Sequence, residues 1–183
     1  MRYAWEQFSF CPTCGSEYAA ADFHAQSVSW RCAACQYEFY QNSSPAATAV
    51  VPSKACPAEI VLLTRTAAPG EGLLGLPGGF LKHHEPPYDG VRREVSEEIL
   101  IDIDVDRLLE SYLVDYRFRG AIVSVLELVF LGKPIETDVR TTRSHEASAV
   151  AYYDVRDILH DPSRLAFPEQ EQALRRYRDH VGL

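Results

Sequence analysis

The stretch Gly79-Phe-Leu-Lys-His-His-Glu85-Pro-Pro-Tyr-Asp-Gly-Val-Arg-Arg93-Glu94-Val-Ser-Glu97-Glu98-Ile-Leu-Ile101 governs how the rest of the chain is read. At about 100° per residue, Val91, Val95 and Ile99 fall on one apolar seam, which predicts a helix over Pro86–Leu100. The proline pair suits its first turn, where a missing N–H has no intrahelical partner to lose. Glu94 and Glu98 are four residues apart and stack on one face, and Glu97 lies within a turn of both. Carboxylates packed so closely repel one another, and Arg93 is the cation at hand. A divalent ion held by hard oxygen ligands would relieve the repulsion. From periodicity alone, a metal site and a merely exposed acidic face both stay open.

Outward from this helix, Ala46–Val51 and Ile60–Thr66 read as buried strands, followed by a glycine-rich segment from Pro69 to Gly79. Tyr112–Phe118 and Ala121–Leu131 read as strands joined tightly at Arg119-Gly120. Ala149–Tyr153 reads as a further strand, and Pro168–His180, with Ala173, Leu174 and Tyr177 at helical spacing, as a closing helix. Residues 1–43 differ in kind. They carry Cys11-x2-Cys14 and Cys32-x2-Cys35, with short β-prone pieces at Val28–Arg31 and Tyr37–Tyr40, and the polar run Gln41–Pro45 marks their boundary. Two CxxC knuckles give the four-sulfur tetrahedral site that zinc prefers, with a lone iron as the chemical alternative. Two basic residues (Arg2, Arg31) against four acidic ones (Glu6, Glu17, Asp22, Glu38) give the wrong sign for a phosphate backbone, so the knuckles read as a structural clip. Cys56 stands apart and reads as a small buried apolar residue. The expected domains are a metal ribbon at 1–43 and a larger unit at 44–183.

Composition sets the outer limits. The 183 residues suit one medium domain with a small appendage, and 46% apolar with 24% charged residues is a globular balance. No apolar run nears the ~18 residues of a membrane span, and the first ten residues lack a signal-peptide h-region. The formal charge of −8 excludes bulk attraction to nucleic acid or an anionic membrane surface. A phosphate-rich ligand would need a cation or local geometry to receive it. Paired CxxC knuckles together with these features point to a cytoplasmic protein.

The segment Gly79-x5-Glu85-x7-Arg93-Glu94-Val95-x-Glu97-Glu98-x-x-Ile101 resembles the Nudix box, the loop-helix-loop signature of hydrolases that cleave nucleoside diphosphates linked to another moiety. One position departs: Leu100 stands where the box has a glycine, which normally ends the helix in a left-handed conformation. A four-cysteine ribbon, then Tyr40-Gln-Asn, a proline, a first strand and the box is the order of zinc-ribbon Nudix proteins. Their resemblance implies an α+β fold: a Nudix α/β/α sandwich with a mixed β-sheet, preceded by a small N-terminal zinc ribbon. NADH pyrophosphatases of this group carry a Ser-Gln-Pro-Trp-Pro-Phe-Pro run after the box. Ser111–Phe118 lacks it, so the resemblance favours ADP-ribose or FAD, with NADH or NAD as the alternative substrate. A module that binds such ligands without turnover is the competing reading, opposed by the intact Arg93-Glu94 and Glu97-Glu98 pairs.

The resemblance also implies roles. Glu94 and Glu98 match metal-binding carboxylates for Mg²⁺ or Mn²⁺, and Glu97 a ligand or base. Arg93 and Glu85 match the pair that braces the helix, and the Gly78 carbonyl a main-chain metal ligand. Glu146 matches a further metal-binding or base glutamate. Apart from the resemblance, Tyr112, Tyr116 and Phe118 fall on alternating strand positions that share one face, so with Phe80 they are candidates for stacking on a substrate ring, with core packing the alternative use of each. His83 and His84 read as solvent-facing. The implied partner is a small nucleotide, with a homodimer as the expected assembly and no nucleic acid or membrane partner.

Overall fold

Three residues of the seam, Val91, Val95 and Ile99, are each 0% exposed, and they seat the helix α1 (Pro87–Ile99) on the interior. Burying each is worth about 1.5–3 kcal/mol. Pro86 is the extended residue before the helix and Pro87 its first member. At the other end Leu100 adopts φ 56°, ψ 32° and donates its N–H to the Ser96 carbonyl, so the left-handed exit forms without glycine.

The computed structural model describes residues 2–133, 135, 139 and 147–183. In chain order the strands before α1 are β1 (Arg2–Tyr3), β2 (Phe23–His24), β3 (Ser29–Arg31), β4 (Glu38–Tyr40), β5 (Ser44–Val50), β6 (Glu59–Arg65), β7 (Leu74–Gly75) and β8 (Gly78–Phe80). After it come β9 (Val105–Phe118), β10 (Ala121–Gly132), β11 (Ala147–Asp154), α2 (Val155–His160) and α3 (Gln170–Val181). They gather into two compact units, Met1–Ser43 with Asp115–Ser124, and Ser44–Val114 with Val125–Leu183.

In the larger unit β10 runs parallel to β5, β5 antiparallel to β8, and β9 pairs with β10, which makes the sheet mixed. A second, antiparallel sheet has the order β11-β6-β7. The side-chain period of two divides each strand between two cores. Val50, Ile60, Leu62, Val129 and Leu131 join one, closed by Val155 and Ile158 of α2 and by Ala173, Leu174 and Tyr177 of α3. Ala47, Ala49, Val61, Leu63 and Phe130 join the other, closed by the α1 seam. Helices thus cover both faces, the expected α/β/α sandwich of mixed α+β class. No described helix is long and apolar enough to cross a membrane.

In the smaller unit β2, β3 and β4 form an antiparallel sheet around Trp30, which is 5% exposed. The rings of Phe23 and Phe8 sit 4.9 and 5.3 Å from it, an aromatic core that compensates for the segment's small size. Tyr3 of β1 lies beside Ile122 and donates its hydroxyl to Asp115 at 3.0 Å.

Candidate active site

Strand β8 sets Gly78 opposite Thr48 and Gly79 opposite Ala47. At Gly78, with φ 141°, a Cβ would stand 2.3 Å from the Ala47 carbonyl oxygen, so the strand closes on β5 only as glycine. At Gly79 a Cβ would stand 2.9 Å from the carboxyl carbon of Glu94. The bare backbone there is what lets the Glu94 carboxylate lie against the strand.

Arg93 organises the acidic residues. Its Nε donates to Glu85 Oε1 at 2.7 Å and its Nη2 to Glu85 Oε2 at 2.9 Å, the bidentate fork that only a planar guanidinium makes. Nη1 donates to Glu94 at 2.6 Å and to Glu97 at 3.1 Å, and Nη2 also reaches the Phe80 carbonyl at 3.3 Å. All five N–H donors of the side chain are therefore engaged by protein acceptors. The Glu85 carboxyl is held down at about 2 by the Arg93 bonds and by the Lys82 N–H it accepts. Arg93 is correspondingly held protonated, by Glu85 first and then Glu94, against its own burial. Glu97 is the open member, with its side chain 56% exposed and Lys82 Nζ 3.7 Å away.

Glu98 lies one turn further along α1. It is 7% exposed and accepts the Gly78 N–H on Oε2 at 2.7 Å, which fixes the Pro77–Gly78 peptide next to the Gly78 carbonyl that the resemblance makes a ligand. Glu94 and Glu98 thus share a helix face and both meet the Gly78-Gly79 backbone. Carboxylate and main-chain oxygens are the hard donors that Mg²⁺ or Mn²⁺ takes, and the missing Cβ at Gly79 is what lets the Glu94 carboxylate lie against the strand that carries the Gly78 carbonyl. The donor set fits a divalent ion.

Other candidates are placed as follows. Phe80 is 44% exposed beside this cluster. Tyr112 is engaged in the core: its ring packs against the α2–α3 cluster and its hydroxyl donates to Glu127 at 3.3 Å. Tyr116 and Phe118, with rings 6.3 Å apart, belong to the smaller unit. His83 and His84 are exposed. Cys56 is half-buried, less enclosed than its sequence context suggests. Glu146 lies outside the described residues.

Sequence reasoning missed a buried polar group. Glu127, 6% exposed, accepts three hydrogen bonds on Oε1: from Thr48 Oγ1 at 3.0 Å, Gln170 Nε2 at 3.1 Å and the Tyr112 hydroxyl. Burial pushes its pKa up, opposed by the Gln170, Thr48 and Tyr112 bonds. A lone acidic residue inside the apolar run Val125–Leu131 was the available signal.

In the smaller unit the four cysteine sulfurs lie within 4.8 Å of one another, with 3.7 Å between Cys11 and Cys35 and 3.6 Å between Cys14 and Cys32. Zinc bound at about 2.3 Å would set tetrahedral sulfurs about 3.8 Å apart, so the cluster fits a zinc ribbon. Each knuckle closes through backbone bonds, Gly15 N–H to Cys11 O and Gln36 N–H to Cys32 O, both 2.9 Å. Cys14 is lowered to about 6 by the Ser16 hydroxyl and N–H, which favours the thiolate a metal needs.

A family model of the NUDIX domain matches residues 44–177. The chain belongs to the Nudix family. Nudix proteins are pyrophosphohydrolases and generally use a divalent metal. A MutT-like protein of Streptomyces ambofaciens is 38% identical over 81 residues, which cover 44% of this chain and 47% of that protein. The match thus spans about half the length of that curated relative. Among solved structures, a Nudix hydrolase from Nitrosomonas europaea superposes with TM-score 0.71 at 23% identity, over 96% of this chain and 94% of that one. The Nudix domain of Shewanella oneidensis NrtR, complexed with ADP-ribose, gives 0.61 at 20% identity over 78% and 90%. A C. elegans Ap4A hydrolase gives 0.59 at 21% over 76% and 98%. At these identities the structural likeness speaks for the fold.

Proposed function

We propose that this Nudix protein hydrolyses the pyrophosphate bond of a nucleoside diphosphate linked to another moiety, with ADP-ribose or FAD preferred to NADH. The observation that carries the reading is the brace: one guanidinium fixes Glu85, Glu94 and Glu97, while Glu98 fixes Gly78 from the same helix. Glu94, Glu98 and the Gly78 carbonyl would hold Mg²⁺ or Mn²⁺, with Glu146 a further ligand on the strength of the resemblance. When bound, the ion neutralises the pyrophosphate and lowers the pKa of a coordinated water. Arg93 and Glu85 keep the ligand carboxylates in register. Glu97, the most open carboxylate of the group, accepts the proton as the water oxygen attacks phosphorus. The P–O bond of the anhydride breaks with its electron pair on the departing phosphate, giving a nucleoside monophosphate and a phosphorylated partner.

The absence of the Ser-Gln-Pro-Trp run from Ser111–Phe118 supports the ranking against NADH, and the ADP-ribose-bound neighbour supports an adenine diphosphate. Phe80, exposed at the edge of the cluster, is the proposed ring-stacking residue there. Residues 1–43 serve as a zinc ribbon and 44–183 as the catalytic domain of a cytoplasmic homodimer. The test is a comparison of kcat/KM for ADP-ribose, FAD, NADH, diadenosine polyphosphates and 8-oxo-dGTP at saturating Mg²⁺, following AMP. A clear preference for NADH overturns the ranking, and no hydrolysis of any of them overturns the reading.

A further inference from the structure

The buried Glu127 cluster reaches the active-site loop at two points. Gln170, 1% exposed, donates its amide to Glu127 and accepts the Leu76 N–H on Oε1 at 3.3 Å. Thr48 donates its hydroxyl to Glu127, which turns its methyl Cγ2 toward Gly78; a Cβ on Gly78 would meet that methyl at 2.9 Å. Between these points the Ala49 N–H holds the Pro77 carbonyl at 2.9 Å. The tripeptide Leu76-Pro77-Gly78 is thus pinned from the interior by β5 and α3, and from the helix side by Glu98. Beside that backbone bond, the side-chain part of the interior hold converges on one oxygen, Glu127 Oε1, which accepts from three donors. A hydroxyl and an amide aimed at a common acceptor lose their fixed rotamers together when that acceptor is removed.

We propose that Glu127 is a positioning residue for the reaction: through Thr48 and Gln170 it holds the Leu76–Gly78 backbone so that the Gly78 carbonyl presents to the divalent ion. The inference rests on the metal-dependent reading above for its consequence, and on the hydrogen bonds to Glu127 and the packing of the Thr48 methyl for its mechanism. Glu127 touches neither substrate nor metal. What it supplies is a fixed acceptor, so an uncharged acceptor of the same shape serves nearly as well, and an apolar residue of similar size does not.

The experiment uses the full-length, zinc-loaded protein and the variants Glu127→Leu and Glu127→Gln, with two measurements that need no turnover. Mn²⁺ added alone reports the site's affinity, and amide hydrogen exchange reports Leu76 and Gly78. Glu127→Leu is expected to weaken Mn²⁺ binding about tenfold, within the range for lost supporting hydrogen bonds at a metal site, and to speed exchange at both amides by a similar factor. Glu127→Gln is expected to stay within about threefold of the parent in both. If Glu127→Leu melts earlier yet keeps the parent's Mn²⁺ affinity and Gly78 exchange, the cluster is only structural and the proposal is wrong. Equal damage from Leu and Gln also overturns it, because charge and not the fixed acceptor would then matter. Should Glu127→Leu fail to fold, the isosteric Thr48→Val decides: a several-fold loss of Mn²⁺ affinity supports the proposal and an unchanged affinity refutes it. If the parent itself binds no Mn²⁺, or Glu98→Gln leaves that binding intact, the functional reading fails on its own, and the exchange rates still judge the positioning.

Discussion

Leu100 occupies a backbone conformation that costs an L-residue about 1–2 kcal/mol and glycine almost nothing. With φ 56° and 67% of its surface exposed, it keeps only about a third of its side chain in contact with the fold. Full burial of a leucine is worth about 1.5–3 kcal/mol, so the packed third is worth about 0.5–1 kcal/mol. Leu100→Ala loses that packing and keeps the strain, and is expected to destabilise by that amount. Leu100→Gly loses the same packing, relieves about 1–2 kcal/mol of strain and adds about 0.5–1 kcal/mol of unfolded-chain freedom. The glycine variant should therefore match the parent and exceed the alanine variant by about 1 kcal/mol, or about 2–4 °C in a domain of this size. Urea unfolding of the three proteins, with equal slopes required, measures the difference. A glycine variant less stable than the alanine one would refute the reasoning, since it would show that the left-handed exit carries no strain. Turnover should be unchanged in both, because the side chain at 100 faces solvent and the carboxylates lie upstream of it.

Glu98→Gln keeps the acceptor for the Gly78 N–H and removes one negative charge from the proposed metal face; kcat should fall roughly 10²–10⁴-fold while thermal stability holds or rises, and full Mg²⁺-dependent activity would contradict the metal assignment. Glu85 carries a pKa lowered from 4.5 to about 2, so its bond to Arg93 stabilises the fold fully above pH 4.5 and loses that contribution as pH falls from there toward 2. Thermal melts across that window should show the parent losing more stability than Arg93→Lys, which lacks the fork; parallel losses would remove Glu85 from the account. Elemental analysis of natively purified protein should find one zinc per chain, and a structural zinc is worth about 10–16 kcal/mol in small ribbons. Its removal by chelator should abolish exchange protection around Trp30 before that of the α1 amides, and metal-free protein that keeps the ribbon folded would refute this.

The helix α1 and its carboxylates were legible because everything that forms them is local: a four-residue apolar period, a proline pair at the start and a glutamate ladder. The cysteine cluster was legible for the same reason. The departure at Leu100 was visible as an anomaly, and its outcome was not. The left-handed turn at Leu100 lies between two buried residues, Ile99 and Ile103, 5% exposed, and the packing of the second is not readable from the helix sequence. From sequence Glu127 reads as part of an apolar strand, because its partners come from 79, 15 and 43 residues away. Alternation puts Tyr112 on one face with Tyr116 and Phe118, but it gives the face of a strand and not what covers that face, which for Tyr112 is the core. Strand β9 begins at Val105, well before the expected Tyr112, since its early residues interleave Asp106, Arg107 and Glu110 with single buried positions at Val105 and Leu109.

The saturated guanidinium of Arg93 sets an order of events. An arginine at the mouth of a phosphate site usually greets the anion itself; here every donor is already turned toward glutamate or backbone. A bare diphosphate approaching Glu94, Glu97 and Glu98 meets carboxylates that outnumber the cations beside them, Arg93 and Lys82, and the net negative charge repels it. On the proposed reading, the productive visitor is the nucleotide already chelated to its cation, or the bare nucleotide arriving after the cation has settled. The acidic helix then works as a filter on speciation, and the fraction of nucleotide carrying an ion in the surrounding medium governs how fast the site fills.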